Sequence, residues 1–310
     1  MIPKDAKIYI AGHSGMVGSA CWRLFQNKGY SNLIGIKSND LDLRNQELVE
    51  KFFKREKPDF VIDAAARVGG ILANSKYQYD FLIDNLLIQN NLIKSAHENK
   101  VSKLIFLGSS CIYPKNAPQP LKEEYLLTSP LEESNQWYAI AKIAGVKLIE
   151  SVRNQFNKDF ISLMPTNLYG PGDNYDLQTA HVLPALIRKF HEAKNNNIDK
   201  VVIWGTGKPL REFLHVDDLA KAVLFSLENK LSESLYNIGS GEEISIAKLS
   251  LMIKQKIGFE GDIVFDISKP DGTARKLLSS DKINKLGWEK TIKLKDGVNS
   301  IIKEYQKQIF

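Results

Sequence analysis

The string Gly108-Ser109-Ser110-Cys111-Ile112-Tyr113-Pro114 closes an apolar run, and Tyr138-Ala139-Ile140-Ala141-Lys142 follows at the start of a helical pattern. Four positions apart on a helix, Tyr138 and Lys142 share one face and can address one substrate. A free phenol has a pKa near ~10, so the ammonium is expected to draw it down toward the working range. Tyr138 could then give its proton to the alkoxide that forms as hydride reaches a carbonyl, with Ser109 hydrogen-bonded to the same oxygen. Cys111 is not needed for hydride transfer and suggests a second reaction in the same pocket. Taken alone, Tyr138 and Lys142 could equally be an ordinary surface pair, and a cysteine is often a small core residue. The neighbouring elements have to decide.

Those elements begin with Lys7-Ile8-Tyr9-Ile10-Ala11, a short strand. Gly12-His13-Ser14-Gly15-Met16-Val17-Gly18 follows, and then a helical pattern to about Lys28. Strand, glycine-spaced turn and helix make a dinucleotide cradle, with pyrophosphate charge at the helix N-terminus. NAD enzymes of this kind place an acid at the end of the second strand to bind the ribose 2′-hydroxyl. Here that strand ends Gly35-Ile36-Lys37-Ser38-Asn39. Lys37 and Ser38 could hold a 2′-phosphate, which favours NADP, although Lys37 could also be a solvated strand-end lysine.

Short apolar runs at 32–36, 60–64, 103–107 and 160–164 alternate with helical patterns at 45–56, 81–99 and 138–156. This is the βαβ alternation of an α/β fold, a Rossmann-type doubly wound parallel sheet that binds ligands at its strand ends. Ser109 and Asn167 follow two such ends. After Pro171 the regularity weakens, with helical patterns at 179–195 and 246–257 among short strands. The expected division is a dinucleotide-binding domain over 1–170, rejoined near 213–240, and a smaller α/β substrate lobe over 171–310.

At 310 residues and 43% hydrophobic, the chain can bury a sizeable core. The formal charge is +6, but 42 Lys and Arg are scattered among 36 Asp and Glu with no basic block, which speaks against nucleic acid. A modest positive bias suits two anionic ligands. No apolar run reaches the ~18 residues of a membrane span. The first strand follows the start directly, and Cys21 and Cys111 make no disulfide framework. A cytoplasmic protein is expected, with Cys21 a small apolar residue of the first helix.

The spacing G-x-x-G-x-x-G with Y-x-x-x-K resembles the extended short-chain dehydrogenase/reductases. Further strings narrow the resemblance to their GDP-L-fucose synthase branch: 64–71 (AAARVGGI), 108–115 (GSSCIYPK), 164–171 (MPTNLYGP), 211–218 (REFLHVDD) and 269–273 (KPDGT). The resemblance runs over essentially the whole chain. It implies a homodimer with NADPH that epimerises a GDP-4-keto-6-deoxy sugar at C-3 and C-5 and then reduces C-4. A ketone at C-4 acidifies the hydrogens on both flanking carbons, so one base and one acid on opposite faces can invert each centre. The resemblance casts Cys111 as that base and His181, in His181-Val182-Leu183-Pro184, as that acid, which a thiol and an imidazole can do near neutral pH.

The same resemblance implies that Leu107, Gly108, Lys142, Pro165, Asn167, Leu168 and His181 line the cofactor alongside the glycine turn. It gives Arg211 the diphosphate, for which a planar fork is suited, and Trp204 and Asp271 the sugar and base side. Lys189 stands where the family generally has a second arginine, and keeps the charge without the bidentate geometry. Ser14 and Ser38 stand where it commonly has arginines around the 2′-phosphate. Trp204 could instead be plain core. Three functions compete: the epimerase-reductase; a related nucleotide-sugar enzyme, such as a 4-reductase acting after a separate epimerase; and a non-catalytic dinucleotide sensor. Ser110 and Cys111 replace the acidic pair a dehydratase would carry, and a sensor would be expected to lose Tyr138 or Lys142.

Overall fold

The structure, a computed structural model, describes residues 2–269 and 271–309, so Pro270 of the 269–273 string lies outside the described residues. The first half of the chain runs β1 (Ile8–Ala11), α1 (Met16–Asn27), β2 (Leu33–Ile34), α2 (Gln46–Glu56), β3 (Phe60–Asp63), α3 (Ile71–Lys76), α4 (Gln78–Glu98), β4 (Lys103–Leu107), α5 (Gln136–Phe156) and β5 (Asp159–Pro165). The second half runs β6 (Asn167–Tyr169), α6 (Val182–Asn195), β7 (Lys200–Trp204), β8 (Leu210–His215), α7 (Val216–Glu228), β9 (Leu235–Ile238), β10 (Glu243–Ser245), α8 (Ile246–Ile257), β11 (Asp262–Asp266), β12 (Arg275–Lys276), α9 (Asp281–Asn284) and α10 (Leu294–Ile309).

Six strands form one parallel sheet in the order β2-β1-β3-β4-β5-β9. β1 and β4 are buried along their whole length, as unbroken apolar strands must be when helices cover both faces. On one face α1 and α7 contribute Phe25, Leu219 and Val223 to a core with Ile8 and Ile10 of β1. On the other, α2, α4 and α5 contribute Phe53, Leu92 and Val146 against Tyr9 and Val61. After β1 the chain turns to β2 on one side and then crosses to β3 on the other. The strand order therefore reverses between β1 and β3, and the crevice opens at their carboxyl ends. This is the expected Rossmann-type architecture.

A third core gathers Leu186, Phe190, Leu249, Ile253 and Ile302 from α6, α8 and α10 around β7 and β8. The helices have local reasons to start and stop. Asn45 caps α2 by accepting from Leu48 N at 3.1 Å, Ser245 caps α8 through Lys248 N, and Gly258 ends α8 at φ +70°.

Some boundaries differ from the sequence reading. The strand expected over 32–36 pairs only at 33–34, leaving Lys37 and Ser38 exposed in a turn where Asp40 N and Leu41 N donate to Lys37 O. The helix expected from 179 begins at Val182, with His181 in extended geometry before it. β9 pairs with β5 and α7 joins the first core, and a later segment rejoins as well. Leu278 sits in the second core, Ile283 and Trp288 in the first.

Candidate active site

The four strand ends nearest the switch point carry the site. At β1, Gly12 takes φ +76°, and a Cβ there would press on Ala64 O at 2.8 Å. A Cβ at Gly18 would overlap Gly12 O, so α1 can approach β1 only with glycine at that position. Gly15 precedes α1 without a side-chain cap, and no acid stands in the first turn. The N–H groups and dipole at this helix end thus face outward for an anion, which fits a pyrophosphate. Ser14 is exposed, Met16 and Val17 are half-buried, and Met16 packs on the first core with Val17. His13 is turned inward: its ring stacks on Trp22 at 5.6 Å and fills the space beside Gly35. His13 therefore contributes backbone rather than its imidazole to the turn.

At β4, Gly108 N donates to Leu163 O at 2.9 Å, and a Cβ at Gly108 would displace the end of the Met164 side chain. Ser109 then caps a short 3₁₀ turn over 110–112, its Oγ accepting from Cys111 N at 3.2 Å. That bond leaves the Ser109 hydroxyl proton free to be donated. Tyr138 lies in the first turn of α5, edge-on to Phe81 at 6.4 Å. One turn later Lys142 is 2% exposed; its Nζ donates to Leu107 O at 2.9 Å and lies 5.9 Å from the Tyr138 ring centroid. Gly145, against Phe106, lets α5 come this close to β4.

The expectation that Lys142 draws the Tyr138 phenol downward is not met. Burial, with the neighbouring Cys111 and Asp63, raises it well above the usual phenol range. Lys142 is spent on the Leu107 carbonyl and is itself desolvated, its pKa pushed down to about 8 with Asp63 opposing the fall. A firmly protonated phenol is still the form that a proton donor must have at the start of a reduction.

Cys111 is half-buried, and its Sγ accepts from Asn135 Nδ2 at 3.3 Å and from Lys276 Nζ at 3.4 Å. His181 is exposed just before α6, and desolvation and then the Lys276 charge hold it below the ordinary imidazole range. At β5, Pro165 is buried, Asn167 Nδ2 donates to Glu212 O at 2.8 Å, and Leu168 packs on the first core. Cys21, as expected, is wholly buried, its thiol pushed up to about 12.

The nucleotide-side candidates gather around β7 and β8. Trp204 ends β7 and is 52% exposed, with Lys269 Nζ 5.7 Å from its ring, so it is not core. Both Asp271 oxygens hold the Thr206 turn, at 2.8 Å from its N and 2.7 Å from its Oγ1. Arg211 Nη1 donates to Leu210 O and Thr273 O. Lys189 Nζ donates to Val202 O at 3.0 Å.

Three residues of the site escaped the sequence reading. Asn135 and Lys276 reach Cys111 from 24 and 165 positions away, with no spacing signal. Asp63 is fully buried at the end of β3, with Oδ2 unpartnered and a pKa raised to about 6, chiefly by burial. Its signal was available: a carboxylate closing the apolar run Phe60-Val61-Ile62.

With the glycine turn, the Tyr/Lys helix and the strand-end serine in place, comparison with known proteins is specific. Residues 8–239 match the model of the NAD dependent epimerase/dehydratase family. The chain belongs to this family. Within it, the chain is 54% identical over 309 residues to GDP-L-fucose synthase 1 of Arabidopsis thaliana, covering 100% of this chain and 96% of that one. It is 48% identical over 303 residues to the GDP-L-fucose synthase of Escherichia coli K12, covering 95% and 94%. A GDP-mannoheptose C4 reductase of Campylobacter jejuni, solved with NADP bound, shares the fold at TM-score 0.91 and 42% identity, over 99% of this chain and 100% of that one. The resemblance carried by the sequence motifs is therefore borne out. Among the described residues, no helix of this family member is long and apolar enough to cross a membrane.

Proposed function

We propose that this protein is an NADPH-dependent enzyme that epimerises a GDP-4-keto-6-deoxy sugar at C-3 and C-5 and reduces it at C-4, the reaction of the GDP-L-fucose synthases. The observation that carries this reading is the joining of two sets of groups in one crevice. Cys111 bears on Tyr138, and Lys276 links Cys111 to His181. A pure reductase needs only the first set.

The glycine turn and the N-terminus of α1 would hold the cofactor's pyrophosphate, and Lys37 and Ser38 its 2′-phosphate. Leu107, Gly108, Pro165, Asn167 and Leu168 would line its nicotinamide half. When bound, it supplies hydride for the ketone carbon. Tyr138 gives its proton to the ketone oxygen, and Ser109 donates a hydrogen bond to the same atom. Lys142 brings positive charge beneath them. In the earlier exchange Cys111 removes a proton beside the ketone, and charge collects on the oxygen already faced by Ser109 and Tyr138. His181 returns a proton to the opposite face. The diphosphate, held by Arg211 and Lys189, opposes the Lys276 field at His181 and favours the imidazolium that this step needs. The same reading includes a homodimer, as the resemblance to the GDP-L-fucose synthases implies.

The test is incubation with GDP-4-keto-6-deoxy-mannose and NADPH in deuterated buffer. The wild type should carry deuterium into C-3 and C-5 and oxidise NADPH in preference to NADH, a preference that Lys37→Ala narrows. Cys111→Ser should stop the exchange while slow reduction without inversion continues. Tyr138→Phe should retain cofactor binding but lose reduction by at least ~10²-fold. A second reading, 4-reduction alone, is favoured by the likeness to the GDP-mannoheptose C4 reductase. Wild-type reduction with no deuterium at either carbon would establish that reading and overturn the first.

A further inference from the structure

We propose that Lys276 is a catalytic residue of the proton exchange: its ammonium, 3.4 Å from Cys111 Sγ, is the counter-ion of the thiolate that removes the proton beside the ketone. The proposal rests on the epimerase reading above and assigns that site a charge partner.

The placement follows from the fold. β12 runs parallel to β8 with Lys276 opposite Arg211, so the strand that presents one cation toward the sugar nucleotide also fixes the other. The turn before β12 is clasped by Asp271 to Thr206, and Arg275 is neutralised by Glu243 at 2.8 Å. In the pocket that Cys111 lines, Lys115 is taken up by Glu132 at 3.1 Å. Lys276 has no carboxylate partner among the described residues, and its ammonium donates to the Cys111 sulfur. Asn135, from the turn before α5, gives the same sulfur a second donor at 3.3 Å, and Tyr138 and His181 complete the surroundings. Two donors aimed at one sulfur match an anionic acceptor, since a thiol sulfur accepts only weakly.

In the step itself the thiolate takes the proton from carbon and becomes a thiol. The C–H bonding pair moves into the enolate, and the negative charge passes from sulfur to the ketone oxygen. An ammonium cannot accept a proton, so Lys276 does not compete with Cys111 as base. It also disfavours a second positive charge at His181, which separates the two groups electrostatically.

The experiment measures alkylation of Cys111 by iodoacetamide in the protein without substrate, read by intact mass, for wild type, Lys276→Met and Lys276→Arg. Cys21 is fully buried and serves as an unreactive internal reference. Lys276→Met should slow alkylation about tenfold near pH ~7, with the difference closing as the buffer is made alkaline, and Lys276→Arg should restore most of the rate. Deuterium entry at C-3 and C-5 should fall in parallel, as a loss in kcat with little change in KM. Equal alkylation of wild type and Lys276→Met across the pH range would overturn the proposal, as would a rise in KM alone, which is the mark of a substrate anchor. A gap of the same size at every pH would indicate altered access and would also overturn it. The alkylation assay needs no substrate, so a wild type that exchanges no deuterium would sink the epimerase reading without moving this result.

Discussion

At the scale of single residues, the proposed reduction site holds a buried pair of opposite charges, Asp63 and Lys142. Burial pushes the carboxyl up to about 6 and the ammonium down to about 8. Between those limits both are ionised. As pH rises through about 8, Lys142 loses its proton, and kcat/KM for reduction should fall. The Asp63 charge is what keeps Lys142 from falling further. Asp63→Asn should therefore bring the alkaline fall to lower pH, costing roughly tenfold in kcat/KM near pH ~8. Stability should move the other way. An Asp whose folded pKa is raised destabilises the fold as pH climbs through the window from 3.8 to about 6. Asp63→Asn should thus withstand more urea than wild type at neutral pH. An unmoved alkaline limb in a pH–rate profile would remove Asp63 from the site. Ser109, Cys111, Tyr138 and Lys142 were legible in the sequence because short spacings on a turn and a helix fix their relations. The protonation of Tyr138 was not, since it depends on what is packed around the phenol rather than on the lysine one turn away.

At the scale of elements, the strands deliver chemistry at their carboxyl ends and solve structural problems at the others. Lys103 opens β4 inside the protein, 4% exposed. Its Nζ donates to Ser226 O at 2.8 Å and Asn229 O at 2.6 Å, and pairs with Asp159 at 2.9 Å. It thereby satisfies carbonyls at the end of α7 and complements that helix dipole, tying α7 to the central sheet. Lys103→Met keeps most of the volume but strands these acceptors, and should cost about 2–4 kcal/mol in urea unfolding. A loss under about 0.5 kcal/mol would mean that water replaces the ammonium without penalty. The sequence marks β4 as a buried strand, yet a lysine at its edge looks like a solvated end. Only the return of α7 over that edge, more than a hundred positions later, makes it a cap.

At the scale of the whole molecule, α4 and α5 pack on each other and leave Leu87 at 38% and Ile140 at 39% exposure. These side chains would be covered if a second copy packed on the same helices. Sedimentation should give twice the chain mass, and Leu87→Glu should leave single chains. A wild type that sediments as one chain would overturn the pairing. By itself the sequence determined the doubly wound sheet and the glycine turn, and it singled out the serine, cysteine, tyrosine and lysine that the fold brings together. Each is written in a local period or spacing that the backbone must obey. It also carried the family, through strings spread from Gly12 to Thr273. Tertiary structure alone decided that residues 278–288 return to the first two cores, that Trp204 stands exposed, and that Lys276 and Asn135 meet Cys111. These depend on where distant segments cross, and neither hydrophobic period nor residue spacing records a crossing between elements far apart in the chain.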